Sequence, residues 1–354
     1  MLYNYEKRVE DIVPRVDDLI HSEKNTLTQA LIYAGLSRFV PILPKKEYDS
    51  FIRDVLINQS LAWREQIDTE VLGNCNIINP HNVLEGKPAI YCAFHNSSYR
   101  LNMLYLLRRK IPVVLIASSD IIEKQTKDIF NSISAVADDA ILKIIDANAP
   151  ASIRTMLHEL SEGHSLFVYL DGNTGTDGMS NDNKNLVEIP ILGSSIMARK
   201  GVAAVSYIAG VPMIPMIASR NGDNFPDIEV FDKIVPDKTM SRDEYSNYVT
   251  RKIYRDVLEK QLARNPRQWE PWLYLYRFFQ REEHTVVDRN VYFFNEKKFC
   301  LLKKNNSHLV FAYNGINAFE ISQDSWLSLD KGYLRKADIP SEEFNELLES
   351  SVII

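Results

Sequence analysis

The chain has 354 residues, 45% of them hydrophobic and 25% charged, with a formal charge of −6. That is long enough to bury a full core, one large domain plus something smaller, and no Lys/Arg stripe is long enough to track phosphates, which excludes a nucleic-acid footprint. The three cysteines (Cys75, Cys92 and Cys300) are far apart and form no CxxC or Cys/His cluster, so no zinc or other metal site is expected and a reducing, cytoplasmic home fits best.

Charged residues interrupt the N-terminus from Glu6 to Asp18, which is not the pattern of a signal peptide. Residues 1–70 read as helices at 5–20, 26–39 and 47–70. The most apolar early stretch, 27–43, carries Arg38 and Pro41 and is too broken to span a bilayer. Its flanks are not rich in Lys or Arg, so packing on the core is the preferred reading, with a peripheral membrane contact as the alternative. From residue 89 strands and helices alternate: strands at 89–94, 113–117, 166–170, 188–192, 213–218 and 228–234, helices at 97–109, 119–132, 150–162, 196–209, 241–264 and 268–281. This spacing predicts an α/β fold, a mixed central sheet flanked by helices. Gly210 supplies a C-cap to the 196–209 helix and Pro212 blocks its continuation.

Composition changes after about Val286. Short strands at 290–294, 299–303, 309–313 and 318–321, polar turns at Asn305-Asn306 and Asn314-Gly315, and helices at 323–329 and 341–349 predict a small β-rich α+β appendage. The expected organisation is therefore a helical segment (1–70), an α/β domain (71–285) and the appendage (286–354).

The chemistry centres on one stretch. An apolar run from Ala89 to Phe94, the pattern of a buried strand, ends on His95 and passes at once into Asn96, Ser97 and Ser98. Those three are good helix N-cap residues, and Leu101, Leu104, Tyr105 and Leu107 then recur at helical spacing. A histidine at the carboxyl end of a buried strand, beside a helix N-terminus, stands where α/β folds place chemistry. A structural histidine is the competing reading.

Three later blocks extend the pattern: Gly163 to Gly175 with Asp171, Val187 to Pro215, and Pro266 to Phe279. Together with the His95 block they resemble the late acyltransferases of lipid A biosynthesis, within the lysophospholipid and glycerolipid acyltransferase superfamily, over about residues 50 to 282. The resemblance implies a glycerolipid acyltransferase-like fold and transfer of an acyl group from a carrier thioester, acyl carrier protein or CoA, to a hydroxyl or amine. No bound cofactor is implied. It also implies His95 as general base, the role in which a positioned imidazole contributes about 10²–10⁴-fold.

In that family a carboxylate follows the histidine after four intervening residues, and here that position is Arg100. Arginine offers no acceptor to an imidazole N–H, and its charge lowers a neighbouring histidine pKa. Either another carboxylate supports His95 or the chemistry has changed. Asp171, at the end of a central strand, is the candidate carboxylate; the alternative is that it caps a turn shaped by Gly172 and Gly175. Backbone N–H groups at Asn96, Ser97 and Ser98, or Arg100 itself, would stabilise an oxyanion. Gly172, Asn173 and Thr174 share the cleft with Asp171 by the same resemblance, and Arg199, beginning a helix with Lys200, would reach a phosphate or else stay solvated.

Two departures point away from a lipid A acceptor: the N-terminus is polar where the family's membrane enzymes carry an apolar anchor, and the polar loop 176–185 reads as a flap. A soluble acceptor, peptide or carrier-bound, is the expectation. Arg108, Arg109 and Lys110 either complement a helix C-terminus or dock an acidic carrier protein. Trp269, Trp272, Tyr274, Tyr276 and Phe278 either fix a helix to the sheet or line an acyl channel. Residues 286–354 look like a small peptide-clamping module that adds a peptide to a sheet edge, or a stabilising appendage. The alternatives to acyl transfer are altered chemistry with Arg100 on an anionic substrate and a non-catalytic scaffold.

Overall fold

The structure is a computed structural model, and it describes residues 4–22, 25–136, 142–172, 184–222, 225–278, 291–313 and 317–354. The N-terminal region is helical as the spacing predicts: α1 (Tyr5–Glu10), α2 (Val13–His21), α3 (Thr26–Phe39), α4 (Tyr48–Glu65) and α5 (Thr69–Asn74). The single helix expected over 5–20 is two. Pro14 stands at the second position of α2, where its missing N–H leaves no bond unmade.

The strands that follow are β1 (Asn76–Ile78), β2 (Ile90–Ala93), β3 (Val113–Ala117), β4 (Leu142–Asp146), β5 (Ser165–Tyr169), β6 (Leu186–Ile191), β7 (Ser194–Arg199), β8 (Met213–Ser219) and β9 (Asp227–Val230). Helices α6 (Arg100–Arg108), α7 (Ser119–Val136), α8 (Ser152–Ser161), α9 (Gly201–Ala209), α10 (Arg242–Ile253) and α11 (Lys260–Arg264) complete this part. Seven strands form one sheet in the order β1-β9-β8-β2-β5-β3-β4. It is parallel from β8 to β4 and antiparallel between β8 and β9, hence mixed.

Every residue of β2 is buried, which is why it reads as a continuous apolar run: helices cover both faces of a parallel strand. Tyr91, Ala93, Leu115, Phe167 and Met216 point to one face and pack with Leu104 of α6 and Ile129 and Ile133 of α7. On the other face Phe94 meets the Tyr254 ring edge-on, with centroids 5.0 Å apart. Tyr254 opens a π-helical turn (Tyr254–Glu259) between α10 and α11, inside what the sequence predicts as one helix over 241–264.

Two expected helices are corrected. Residues 196–199 belong to β7, not to a helix, because β6 and β7 close a hairpin on a two-residue turn at Leu192 (φ 48°) and Gly193 (φ 77°). Such left-handed pairs match the twist of the flanking strands; α9 starts only at Gly201. The segment expected as a helix over 268–281 is a 3₁₀ run (Glu270–Phe278) broken at Tyr274.

The chain falls into two compact units: Met1–Pro14 with Asp54–Pro271, and Arg15–Arg53 with Trp272–Ile354. The second unit is thus discontinuous in sequence. It contains β10 (Val291–Phe293), β11 (Phe299–Lys304), β12 (Ser307–Ala312), β13 (Ala318–Ile321) and β14 (Tyr333–Arg335), with α12 (Gln323–Asp330) and α13 (Ser341–Glu349). Strands β11, β12 and β13 form an antiparallel sheet and β10 pairs with β14. The expected Asn305-Asn306 turn joins β11 to β12, with Asn305 left-handed at φ 55°; the Asn314-Gly315 turn lies outside the described residues. The apolar α3 packs on β12 and β13, and Ile32, Tyr33, Leu36 and Phe39 along it are buried. Lys304 reinforces this, with Nζ 2.7 Å from Asp49 and 2.6 Å from the Tyr33 hydroxyl. Among the described residues no helix is long and apolar enough to cross a membrane.

Candidate active site

Strands β2 and β5 are parallel neighbours with Ala93 opposite Tyr169. Two residues further along each chain stand His95 and Asp171, and they meet. The Asp171 carboxylate is wholly buried and accepts from three donors: His95 Nδ1 at 2.7 Å, the His95 backbone N–H, shared between its two oxygens at 2.9 and 3.2 Å, and Trp269 Nε1 at 2.8 Å. A carboxylate ion only accepts, so Nδ1 carries the ring proton and Nε2 of the neutral ring is the basic nitrogen. Nε2 has no partner among the described residues, and the His95 side chain keeps 18% of its surface exposed. Tyr99 and Tyr169 hold the ring from two sides, with centroids at 4.6 and 4.5 Å.

Burial of the ring disfavours its charge, but the Asp171 charge and hydrogen bond outweigh this. Glu270 adds to them and Arg100 opposes, and the net effect raises the His95 pKa above its ordinary 6.5. Burial also pushes the Tyr99 and Tyr169 phenols well above their usual range, so both are neutral donors.

The position follows from topology. After β2 the chain leaves through α6 for β3 on one side; after β5 it leaves through the β6–β7 hairpin and α9 for β8 on the other. Connections that part in opposite directions open a crevice at the carboxyl ends of the strands.

The residues after His95 behave differently from expectation. They do not cap a helix: Ser97 is left-handed (φ 51°) and α6 begins at Arg100, with no side-chain cap. The Asn96 N–H donates to the Phe94 carbonyl and the Ser97 N–H to the Gln268 carbonyl, each at 2.8 Å, so neither amide is available to an oxyanion. Asn96 Nδ2 donates to the Ala218 carbonyl at 2.8 Å, and the Ser98 hydroxyl donates to Glu65. Glu65 in turn pairs with Arg220, and Gln268 bonds both the N–H and the carbonyl of Arg220. These side chains fasten the loop to the ends of α4 and β8.

Arg100 does not approach His95 Nδ1, which Asp171 occupies. Its guanidinium lies 3.9 Å from the Trp63 ring centroid and donates to Gln66 and Gln125, both at 3.0 Å. Arg199 ends β7 opposite Leu186 rather than opening a helix. A side chain at Gly172 would meet only the Tyr169 carbonyl, at an ordinary 3.6 Å, so space does not demand glycine there. Asn173 and Thr174 lie outside the described residues, as does most of the 176–185 loop. Arg109, from the basic cluster, pairs with Glu85 and bonds the Tyr105 hydroxyl at 3.0 Å.

Sequence reasoning missed Trp269 as a donor to Asp171, and it missed Glu270, whose backbone N–H donates to the His95 carbonyl at 2.9 Å. Both arrive from a segment far along the chain, Trp269 standing 98 positions after Asp171. The signal present was a polar Glu270 amid aromatic residues.

Neither a protein-family model nor a curated protein sequence matches the chain. Among solved structures, it is similar to the crystal structure of the 1-acyl-sn-glycerophosphate (LPA) acyltransferase PlsC from Thermotoga maritima. The match has a TM-score of 0.33 and 14% identity, over 67% of this chain and 97% of that one. A likeness this slight transfers no activity, and the site rests on its own geometry.

Proposed function

We propose that the protein is an acyltransferase of the glycerolipid acyltransferase type, moving an acyl group from a carrier thioester to a hydroxyl or amine. The observation that carries this reading is a histidine held at Nδ1 by a dry carboxylate, with Nε2 unbonded at the carboxyl ends of two parallel strands. A neutral hydroxyl or amine is a weak nucleophile at pH 7. His95 Nε2 takes its proton as the nucleophile forms a bond to the thioester carbon; the carbon–sulfur bond breaks and the proton passes to the leaving thiolate. Asp171 fixes the tautomer and stabilises the imidazolium that forms, and Trp269 holds Asp171 in turn. With the Asn96 and Ser97 amides engaged, the Ser98 N–H and the Arg100 guanidinium are the remaining candidates to stabilise the oxyanion.

The test is incubation of the purified protein with acyl-CoA and acyl carrier protein thioesters against a library of hydroxyl and amine acceptors, read by mass spectrometry. Acyl transfer that disappears in His95→Ala supports the reading. Transfer that continues unchanged in that variant overturns it.

A further inference from the structure

The discontinuous second unit brings a lysine and a cysteine from distant parts of the sequence into contact. Lys45 opens a short 3₁₀ turn (Lys45–Glu47) just before α4, and Cys300 stands in β11. Both residues belong to the same compact unit. Lys45 Nζ donates directly to Cys300 Sγ across 255 positions of sequence, and the sulfur also lies 3.4 Å from the Leu301 carbonyl. Cys300 pairs with Phe311 across the β11–β12 ladder. The Lys45 ammonium lies 5.8 Å from the Phe311 ring centroid and 5.6 Å from that of Tyr313, so two aromatic rings hold it beside the sulfur.

The other two cysteines have a different setting. Cys92 is wholly buried in β2, and burial pushes its thiol up. Burial likewise pushes Cys75 up to about 12, and its thiol donates to the Val71 carbonyl at 3.2 Å. Cys300 is only partly buried, and contact with an ammonium is among the settings that make a thiol nucleophilic. Partial burial disfavours charge on Lys45, but the Cys300 sulfur outweighs it and raises the lysine pKa. A small oxidant therefore meets a partly exposed sulfur with an amine already in contact.

We propose that Lys45 and Cys300 form an oxidative cross-linking site, which hydrogen peroxide from solution closes into a covalent nitrogen–sulfur bond. The Cys300 thiolate attacks one peroxide oxygen; the sulfur–oxygen bond forms, the oxygen–oxygen bond breaks and hydroxide leaves. Sulfur gives up two electrons and becomes a sulfenic acid. The hydroxide takes a proton from the Lys45 ammonium, whose counter-charge on sulfur is now gone. The freed amine attacks the sulfur, the nitrogen–sulfur bond forms and the sulfur–oxygen bond breaks. The departing hydroxide takes the second proton from nitrogen, so the products are a sulfenamide and two waters. Direct contact of nitrogen with sulfur is the geometry that this closing step needs. An added thiol reverses it by attacking the sulfur and releasing the amine. The bridge closes a loop that contains His95 and Asp171, which restricts the unfolded chain. None of this depends on the acyl-transfer reading.

The test treats the purified full chain with hydrogen peroxide, digests it with trypsin without reductant and reads the peptides by mass spectrometry. One joined peptide pair carrying Lys45 and Cys300 is expected, uncut after Lys45 and lighter than the sum of its parts by two hydrogens, about 2 Da. Dithiothreitol should release the two peptides. The oxidised chain should melt at a higher temperature than the reduced one, a shift that Cys300→Ser abolishes. Lys45→Arg keeps a cation but no primary amine, so Cys300 in that variant should gain oxygen, about 16 Da per atom, and stay unjoined. The wild-type digest decides even where a variant loses its fold. Separate wild-type peptides with sulfenic or sulfinic acid at Cys300 overturn the proposal, as does a Cys300 disulfide between two copies of the chain. A joined pair that retains one oxygen, heavier by about 14 Da, overturns the direct nitrogen–sulfur bond. A cross-link at Cys300 that persists in Lys45→Arg overturns the assignment of Lys45.

Discussion

Arg220 Nη2 lies 2.6 Å from each carboxylate oxygen of Glu65, and the two side chains are 2% and 0% exposed. The pair links the last residue of α4 to the end of β8, and Ser98 joins it through its hydroxyl. Removing one partner leaves the other charge buried and uncompensated. Glu65→Leu or Arg220→Met alone should destabilise the protein by about 3–5 kcal/mol, and the double replacement should recover most of that loss. Urea denaturation of the three variants checks this; equal loss in single and double variants would show that the pair is not a coupled unit.

His95→Ala should leave the fold intact and lower acyl transfer by about 10²-fold or more. Asp171→Asn should act on both counts. Its amide nitrogen would face either the His95 or the Trp269 donor, costing about 1–3 kcal/mol of stability, and the imidazole would lose its tautomer control. Turnover and thermal melts measured together separate the effects, and an Asp171→Asn enzyme of wild-type rate would reduce Asp171 to a structural role.

The rate should fall on the acid side at a pH above 6.5, because burial of His95 is outweighed by Asp171 and its pKa is raised. Only the neutral ring is a base, so activity is lost as pH drops through the raised value. Stability runs the other way: the contribution of the protonated His95–Asp171 pair is fully present below the unfolded pKa and is lost as pH rises through the folded one. Asp171→Asn should shift the acid limb downward in a kcat/KM profile.

Arg100→Glu should not rescue Asp171→Asn. The family-style expectation is that a carboxylate at position 100 restores the missing partner of the histidine. In this fold the Arg100 side chain leans on Trp63 and reaches Gln66 and Gln125, while Nδ1 points at position 171. Turnover of the double variant at or below that of Asp171→Asn is the expected outcome; recovery would mean that position 100 does reach the ring.

Deletion of 286–354 should expose the apolar face of α3, since β12 and β13 cover it. The truncated chain is expected to be cleaved within 15–53 under limited proteolysis, where the full chain resists. Equal resistance would mean that the helices fold without the appendage.

Much of the main sheet was legible because a doubly covered parallel strand has a signature in its own residues: β2 and β3 are unbroken apolar runs. The partnership of His95 with Asp171 was legible only as a candidacy, since nothing local says that β5 lies beside β2. β7 was read as helix because Ile196 and Ala198, with Val202, Ala203 and Val205 just beyond, suit either period until the hairpin turn at Leu192 is seen. The Asn96–Ser98 caps failed because Ser97 takes a left-handed turn to reach Gln268, a bond across 171 residues of chain. Helix α3 was legible as apolar, but its cover lies at the far end of the chain.

The meeting of His95 and Asp171 is set by the alignment of two hydrogen-bonded ladders rather than by the residues between them. Sliding β5 by one position against β2 would turn position 171 to the opposite face of the sheet and strand the histidine. Insertions in the stretch between the pair, which stand 76 positions apart, are therefore tolerable wherever they leave that alignment alone. A search for kindred proteins keyed to a fixed distance between the two residues will pass over them; one keyed to the tips of adjoining strands will not.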